Sequence, residues 1–589
     1  MKTTLISFVL LAVTALFAEP AVVPLQVQAQ AMAFSPDHAK IYVVGTGGLL
    51  DVVDAQTKTR ERTIVLDENP FSFAPHICVN DTFGIIVPMQ TRGGSLLSRM
   101  YQIDPVTYSV RSASGYSYSG CAFNQDGQIV YVAHWNGSWN EFLGFDKNLN
   151  IVRRSRIPAE VARDIDSGPP CIERSPINGN KFYATLTSSP YRANKGWLAT
   201  FNGQDPAQPV LMPQSPNGTI IPQKIFFRPD GKFAYITGWD AAFKYLDLTV
   251  VNVTTDEIVD FLPLGTFTNI KFVTDTLAYF TWSPQVGVWD LLQNKVVQQI
   301  DVPKYPDDPD AVLHGLELIP GQGNEPVDTL IVLKSNKLVF MEYKRPAPLK
   351  PPFVTNGASF SVRPIAPGEI ASIFGEGLST SVEGAMGFPL PTELGRTKVL
   401  VNKLAAPLFY VSPTQINFFV PFETPSPTSV DLVIIPDTTR PGNQIAFKVS
   451  TVRSDIGAFS TEIDGAWRPI VVNASRTPWE LVSPSHPVMS GEWITLYLTG
   501  LGAVTPAVPS GQPAPLSPLS RTVYSATVKI NAQEAQVGFC GLAPGWAGLY
   551  QINVFVPADL QGGLHLLEIS TGYSQQFILL PVGTGGSTQ

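Results

Sequence analysis

The chain lacks features that mark several large classes of protein. Its 589 residues contain only 4 cysteines, too few for the disulfide scaffold on which small secreted domains depend. Charged residues make up only 15% of the sequence, and no run of Lys and Arg is longer than Arg153-Arg154. The electrostatic footprint of a nucleic-acid-binding protein is therefore missing, and we expect no nucleic-acid partner.

The sequence also has almost no helical periodicity. Instead, 52 prolines and 47 glycines separate short runs of β-branched and aromatic residues. This pattern predicts an all-β protein. No apolar run reaches the roughly 18 residues of a transmembrane helix, so we expect no transmembrane segment in the mature chain.

A short apolar run at residues 5–18 follows Lys2. A basic residue, a run of this length and a small residue at its end are typical of an export signal. We predict a signal peptide at residues 1–18 and a secreted or cell-envelope-associated protein. Cleavage after Ala31 is the alternative, but it would remove residues 22–27, which have the composition of a strand.

One short pattern recurs about every 44 to 53 residues through the first 345: a strand with an apolar end, a polar turn, and a strand containing Tyr and Val. The first strand of each copy ends at a reference position, and these positions are Phe34, Val79, Phe123, Arg174, Phe227, Phe272 and Leu318. The period is that of a four-stranded propeller blade. It predicts a seven-bladed β-propeller at residues 20–345, in which residues 22–27 supply the last blade's missing strand and close the ring.

In these turn and Tyr-Val positions, the repeats resemble the seven-bladed propellers of the YVTN and lactonase type. The resemblance is confined to the repeat. It implies a fold and no particular activity.

A second duplication follows a Pro-rich linker at residues 346–355. Residues 366–375 recur at 489–498, and residues 415–421 recur at 551–557, with offsets of 123 and 136. The difference places 13 extra residues in the second copy, within the Pro- and Ser-rich loop at 504–520. We predict two immunoglobulin-like β-sandwich modules, at residues 356–455 and 456–585.

Longer motifs in this region resemble the C-terminal domain of unknown function that recurs in secreted acidobacterial proteins. They include Asn356-Gly357-Ala358-Ser359-Phe360, Leu408-Phe409-Tyr410-Val411-Ser412-Pro413 and Leu501-Gly502-Ala503-Val504-Thr505-Pro506. The resemblance covers residues 352–585 and implies an exported, envelope-associated protein without catalytic residues. Cys540 departs from it, because the family has a small residue such as Ala there.

The predicted propeller has two unlike faces. In a four-stranded meander the loops between second and third strands share one face with the connections between blades. Five of the six Trp before residue 345 fall in these loops, and other aromatic and polar residues join them. Rings beside hydrogen-bonding groups suit a saccharide or a peptide. The predicted ligand-binding residues are Trp135, Trp139, Trp197, Trp239, Trp282, Tyr116, Tyr118, Tyr191, Phe243, Arg92, Arg192 and Asp240. Packing of these loops on themselves or on a sandwich is the alternative.

Three histidines, His76, His134 and His314, map to the same face. With Asp164, Asp166, Asp307, Asp308 and Asp310 they offer the side chains of a metal site or a hydrolytic base. They come from different blades and lack a short ligand spacing, so we predict no metal, no cofactor and no catalytic residue.

Cys78, Cys121 and Cys171 fall near the start of the first strand in successive repeats. We expect buried free thiols, with a bridge between neighbouring blades as the alternative, since such a bridge needs Cα atoms within about 7 Å.

The sequence favours an exported, non-enzymatic binding protein whose loop face recognises an envelope carbohydrate or a surface protein. A lactonase-like or other hydrolytic enzyme that uses His and Asp on that face is the first alternative. A purely structural envelope protein is the second.

Overall fold

The structure is a computed structural model. It describes residues 19–68, 72–74, 76–91, 98–115, 118–135, 140–162, 165–188, 195–212, 214–215, 218–219, 221–239, 248–262, 268–292, 295–305, 312–323, 326–346, 352–440 and 442–583. These residues form many small antiparallel sheets and one helical turn, α1 (Ala159–Ala162), which confirms the all-β class. Over the same ranges, no helix is long and apolar enough to cross a membrane. The chain divides into two compact units, residues 1–291 with 295–347 and residues 292–294 with 348–589.

The first half of the first unit contains strands β1 (Ala21–Pro24), β2 (Gln28–Phe34), β3 (Lys40–Thr46), β4 (Leu49–Asp54), β5 (Thr59–Val65), β6 (Ser72–Phe73), β7 (Cys78–Asn80), β8 (Gly84–Thr91), β9 (Ser98–Ile103), β10 (Val110–Gly115), β11 (Tyr118–Phe123), β12 (Val130–Trp135), β13 (Asn140–Phe145) and β14 (Ile151–Arg156).

The second half of this unit contains β15 (Ile165–Arg174), β16 (Phe182–Ser188), β17 (Gly196–Phe201), β18 (Gln208–Leu211), β19 (Gln214–Ser215), β20 (Gly218–Thr219), β21 (Ile221–Phe227), β22 (Phe233–Trp239), β23 (Leu248–Asn252), β24 (Glu257–Leu262), β25 (Ile270–Thr274), β26 (Leu277–Trp282), β27 (Gln285–Asp290), β28 (Lys295–Asp301), β29 (Gly315–Ile319), β30 (Val327–Lys334) and β31 (Lys337–Lys344).

Four groups of strands, β11–β14, β15–β18, β21–β24 and β25–β28, each form a separate four-stranded meander. The meanders β2–β5 and β7–β10 belong to one nine-stranded sheet, because the short strand β6 pairs with both β3 and β8. The last sheet has the order β1-β31-β30-β29, with Ala21 opposite Phe340. The N-terminal segment thus supplies the fourth strand of the last repeat, as expected, but the strand covers Ala21–Pro24 and does not extend through the predicted residues 22–27.

The polar turns follow from the residues at the strand ends. Asp54 Oδ1 accepts hydrogen bonds from the backbone N–H groups of Gln56 and Thr57, at 3.0 and 2.7 Å. Asp104 makes the same pair of contacts at the corresponding turn of the next repeat. A carboxylate that accepts from backbone amides two and three residues on stabilises a tight turn, so these Asp residues are structural.

Apolar clusters lie between neighbouring meanders. Val44 packs with Val87 between the first two meanders, and Ile86 with Val132 between the next two. Further clusters link β12–β13 to β15–β17, β22–β23 to β25–β27, and β26–β27 to β29–β31, and β16 contacts β21. The last meander packs on the first through Ile331 and Val43. Each described meander therefore packs against the next one along the chain, and the last meander packs against the first.

A disulfide joins Cys78 to Cys121, whose Cα atoms lie 6.0 Å apart. The expectation of free thiols is wrong for these two residues, because β7 and β11 are close enough to be bridged. Cys171 and Cys540 are free and buried.

The second unit contains β32 (Phe353–Asn356), β33 (Ile370–Phe374), β34 (Glu383–Gly384), β35 (Lys398–Val401), β36 (Leu404–Ala405), β37 (Leu408–Val411), β38 (Gln415–Phe419), β39 (Thr428–Ile435), β40 (Ile445–Thr451), β41 (Gly457–Ala458), β42 (Ser460–Ile463), β43 (Ala466–Pro469), β44 (Val471–Asn473), β45 (Glu480–Leu481), β46 (Trp493–Thr499), β47 (Val504–Thr505), β48 (Arg521–Thr522), β49 (Thr527–Ile530), β50 (Gln533–Leu542), β51 (Tyr550–Phe555), β52 (Gly563–Ser570) and β53 (Gln575–Val582).

These strands surround two separate apolar cores. The first lies between the sheet β32-β33-β38-β37-β34 and the sheet β36-β35-β39-β40, and the second lies in the eleven-stranded sheet around β46, β51 and β50. The duplicated segments pair in the same register in both, with Phe374 opposite Gln415 and Tyr497 opposite Gln551. The sequence duplication is thus a structural one.

Candidate functional site

A cavity of about 150 Å³ lies among the first strands of six meanders in the first unit. Strands β2, β15, β21, β25 and β29 and the residues just before β7 contribute its wall. Its titratable lining residues include His76, Glu173, Lys224, Lys271, His314 and Glu317. We refer to it as the central cavity.

The central cavity has two tiers because alternate residues of a strand face the same side. The first tier lies three residues before the repeat's reference position and comprises Ala31, His76, Cys171, Lys224, Asn269 and Gly315. The second tier lies one residue before the reference position and comprises Glu173, Phe226, Lys271 and Glu317. The same strand alternation, repeated in meander after meander, therefore brings distant residues into one cavity.

In the second tier, Lys271 Nζ and Glu317 Oε2 form an ion pair at 2.8 Å. Glu173 lies near them, and its accessible side-chain surface faces the cavity. The surrounding protein desolvates the Glu173 carboxylate and raises its pKa to about 7, while the charge of Lys271 acts in the opposite direction. Glu173 is therefore poised between its charged and neutral forms near neutral pH.

In the first tier, Lys224 Nζ donates a hydrogen bond to Asn269 Oδ1 at 2.5 Å. Asn269 Nδ2 in turn donates to Thr281 Oγ1 at 3.2 Å, which orients the amide oxygen toward the lysine. Burial lowers the pKa of Lys224 to about 8.

Two neighbouring groups of the first tier are uncharged at neutral pH. Burial, with a smaller contribution from Lys224, lowers the pKa of His76 to about 3. Burial also raises the pKa of the Cys171 thiol. A neutral imidazole of such low basicity is a poor general base, and a protonated thiol is a poor nucleophile.

The structure brings together two of the three histidines named from the sequence. His76 and His314 line the central cavity, and His314 Nε2 lies 3.2 Å from Ser335 Oγ. His134 lies in β12, where its ring is 5.5 Å from that of Tyr118 and its Nδ1 is 3.6 Å from Glu141 Oε1.

The aspartates proposed as their companions are not part of the described cavity. Asp166 lies in β15, and the other four, Asp164, Asp307, Asp308 and Asp310, fall outside the described residues. Within the ranges that the structure covers, no group of three or more His, Cys, Asp or Glu residues is placed to hold a metal ion.

Three of the predicted Trp residues share one structural position. Trp135, Trp239 and Trp282 are the last residues of β12, β22 and β26, the second strands of their meanders. The second strand runs antiparallel to the first, so it ends at the edge where the first strand begins; Trp239 pairs with Ile221, the first residue of β21. The first tier of the central cavity lies toward this same edge.

The structure corrects the positions of two other candidates. Trp197 lies in β17, with 5% of its surface exposed, and packs with Leu186 and Phe201 in an apolar cluster. Tyr118 begins β11 and is 3% exposed. Both were expected in loops, but strand pairing continues through them and buries their rings.

The remaining predicted residues lie outside the described part of the chain. They are Trp139, Tyr116, Tyr191, Phe243, Arg92, Arg192 and Asp240.

Sequence reasoning missed the charged residues of the central cavity, Glu173, Lys224, Lys271 and Glu317. The signal was present, because three of them immediately precede a reference position of the repeat and Lys224 lies three residues before one. An alignment of the repeats on that position shows these charged residues one or three positions before it, on the side of each first strand that faces the cavity.

No protein-family model matches the chain, and no curated protein matches it in sequence. The resemblances to YVTN-type propellers and to the acidobacterial C-terminal domain therefore remain expectations from the motifs.

Proposed function

We propose that the first unit is a seven-bladed β-propeller. Three observations support this architecture. Counting the nine-stranded sheet as two meanders, seven four-stranded groups follow one another, and each packs on the next. The last group takes β1 as its fourth strand and packs on the first. Five first strands, together with the residues just before a sixth, line one cavity, as the innermost strands of blades do around an axis.

We propose that the second unit consists of two immunoglobulin-like sandwiches. The support is the pair of separate apolar cores and the repeated register of β33 with β38 and of β46 with β51.

We propose that the protein is exported and is secreted or held at the cell envelope. The Cys78–Cys121 disulfide fits an oxidising compartment, where such bonds persist. The segment that suggests a signal peptide, residues 1–18, lies outside the described residues.

We propose that the protein is a non-enzymatic binding protein and that its ligand is a carbohydrate bound at the Trp-bearing edge of the propeller. The observation that carries this proposal is the position of Trp135, Trp239 and Trp282 at the ends of three second strands, beside a cavity lined by charged groups. Indole rings stack on the C–H faces of sugars, and neighbouring polar groups bind the hydroxyls. The hydrolytic alternative has less support, because His76 is a weak base in this cavity.

The test is the double variant Trp135→Ala/Trp239→Ala, with affinity electrophoresis on a panel of immobilised envelope polysaccharides. Loss of two stacked rings should weaken retention by about tenfold. Trp479→Ala is the matched control, because Trp479 is 70% exposed but belongs to the second unit.

Unchanged retention of a folded double variant would contradict the proposal. Binding of the wild-type chain to a surface protein, with no retention on any polysaccharide, would replace the carbohydrate by a protein ligand.

A further inference from the structure

Two lysines and two glutamates line the central cavity. One lysine and one glutamate form an ion pair with each other, and the other two residues do not. Lys271 and Glu317 form the ion pair described above. Lys224 contacts the neutral amide of Asn269, and the Oε1 atom of Glu173 lies 4.0 Å from the Cys171 thiol. Among the residues that the structure describes, neither Lys224 nor Glu173 has an oppositely charged partner within 4.0 Å.

Charges crowded by protein without a partner are unfavourable even where part of the side chain reaches the cavity solvent, as that of Glu173 does, because protein groups replace the lost hydration incompletely. The pKa values of both residues move toward the neutral form, with Glu173 raised to about 7 and Lys224 lowered to about 8. A molecule that presents an anion to Lys224 and a cation to Glu173 would compensate both charges at once. A ligand with one charge would leave the other residue unmatched.

A further polar atom in the cavity wall lacks a partner. Gln30 lines the cavity, and its Oε1 atom is buried without a hydrogen bond to any described residue. An amide oxygen accepts hydrogen bonds and suits an ammonium group, which carries three donors. The cavity therefore offers the Glu173 carboxylate to a cation and the Lys224 ammonium group to an anion, with the unpartnered amide oxygen of Gln30 in the same wall.

The spacing of the two unmatched charges limits the size of the molecule. Lys224 belongs to the first tier and Glu173 to the second, and β15 contacts β21. Two residues along a strand correspond to about 6.6 Å. The lateral distance between β15 and β21 adds to this axial offset, so a ligand whose two charges lie a few ångströms apart can reach both side chains. A volume of about 150 Å³ likewise admits only a small molecule.

We propose that the central cavity is a binding site for a small amino acid, whose carboxylate pairs with Lys224 and whose ammonium group pairs with Glu173. The Lys271–Glu317 pair stays intact and forms part of the wall. The site does not include the Trp residues at the ends of the second strands, so it can be tested separately from carbohydrate binding.

The first test compares ligands on the wild-type full-length chain by isothermal titration calorimetry. The probes are glycine, L-alanine and 4-aminobutyrate, with alaninamide and N-acetylalanine as analogues that lack one charge. We expect at least one amino acid to bind and both analogues to bind at least about tenfold more weakly. Equal affinity for the analogues, or no binding of any amino acid at about 10 mM, would overturn the proposal.

The second test uses variants. Glu173→Gln and Lys224→Met should each weaken amino-acid binding by at least about tenfold. Lys232→Met is the matched control, because Lys232 is exposed at the opposite end of the β21–β22 hairpin. Wild-type affinity in a folded Glu173→Gln or Lys224→Met variant would refute the site. If a variant does not fold, the ligand comparison on the wild type decides.

The Trp135→Ala/Trp239→Ala variant separates the two proposals. It should bind the amino acid as the wild type does while losing carbohydrate. Loss of amino-acid binding in this variant, with intact folding, would contradict the separation of the two sites.

Discussion

Glu369 and Glu492 make the same contact in the two halves of the second unit. Glu369 Oε2 accepts a hydrogen bond from the backbone N–H of Ala366 at 2.6 Å, and Glu492 Oε2 accepts one from Met489 at 2.7 Å. The glycine before each Glu has a positive φ, +82° at Gly368 and +84° at Gly491. A residue with a Cβ adopts this conformation with strain. The Gly-Glu sequence recurs because it builds one turn twice.

Glu369→Ala should destabilise the second unit by about 1–3 kcal/mol, because it leaves the buried N–H of Ala366 without an acceptor. Glu369→Gln keeps an oxygen at this position and should cost less. Hydrogen exchange of the amides in β33 and β38 measures the change in the affected module. Equal protection in the wild type and the Ala variant would show that the contact contributes nothing.

The stability of the second unit should depend on pH through Asp455, between about pH 4 and 6, and through Glu369, from about pH 4.5 upward. Burial raises the pKa of Glu369 well above its usual value, and burial raises that of Asp455 to about 6 despite nearby Arg363 and Asn356. Since the folded state then binds more protons than the unfolded state, the free energy of unfolding should fall as the pH rises through these ranges.

The measurement is urea unfolding of wild type, Glu369→Gln and Asp455→Asn across the pH range. The difference in the free energy of unfolding between wild type and each variant, followed across pH, gives the contribution of the carboxyl group that the variant lacks. A pH dependence that is identical in all three proteins would contradict the assignment.

Arg345 should stabilise the last sheet of the first unit. Its guanidinium holds the fully buried Asp328 in a two-point contact, Nε–Oδ2 at 2.9 Å and Nη2–Oδ1 at 2.5 Å, and Tyr279 donates to the same carboxylate. Arg345→Met leaves that carboxylate buried without a cationic partner. It should lower the free energy of unfolding by about 3–5 kcal/mol.

Arg345→Lys is the matched variant, because it keeps the charge but loses the forked geometry, so its loss should be smaller. Thermal unfolding followed by near-ultraviolet circular dichroism measures both. A Met variant as stable as the Lys variant would show that charge pairing is unimportant here.

The disulfide can be tested by counting thiols. Titration of the unfolded, non-reduced chain should find the two free thiols of Cys171 and Cys540. Cys78→Ser/Cys121→Ser should destabilise the first unit by about 2–4 kcal/mol, because a bridge across 43 residues restricts the unfolded chain. Four reactive thiols would contradict the bridge.

Much of the fold could be predicted from local patterns. The absence of helical periodicity predicted the all-β class, and the Pro and Gly punctuation marked the strands. The repeated reference positions located the meanders, and even the pairing of β1 with β31 was expected, since the last repeat lacked a strand. The duplicated Gly-Glu and Gln-Ile-Asn segments indicated two related modules, and the structure adds that β33–β38 and β46–β51 pair in the same register.

The candidate site was predictable only in part. The sequence named His76 and His314, which do line the central cavity, and Trp135, Trp239 and Trp282, which do end second strands. It placed Trp197 and Tyr118 in loops, because nothing local shows how far a strand continues before it turns. Both residues belong to paired strands, and their rings are buried by packing in apolar clusters.

The sequence by itself determined the strand alternation, the repeat period and the turn chemistry, all of which act over a few residues. Only the tertiary structure decided that Cys78 bonds to Cys121, that Lys271 pairs with Glu317, and that Lys224 and Glu173 face one cavity without matching charges. The reason is physical: alternation tells which residues share a side of a strand, but not which residues of another repeat lie opposite them. That depends on how the sheets pack, and the packing energy is distributed over the whole first unit.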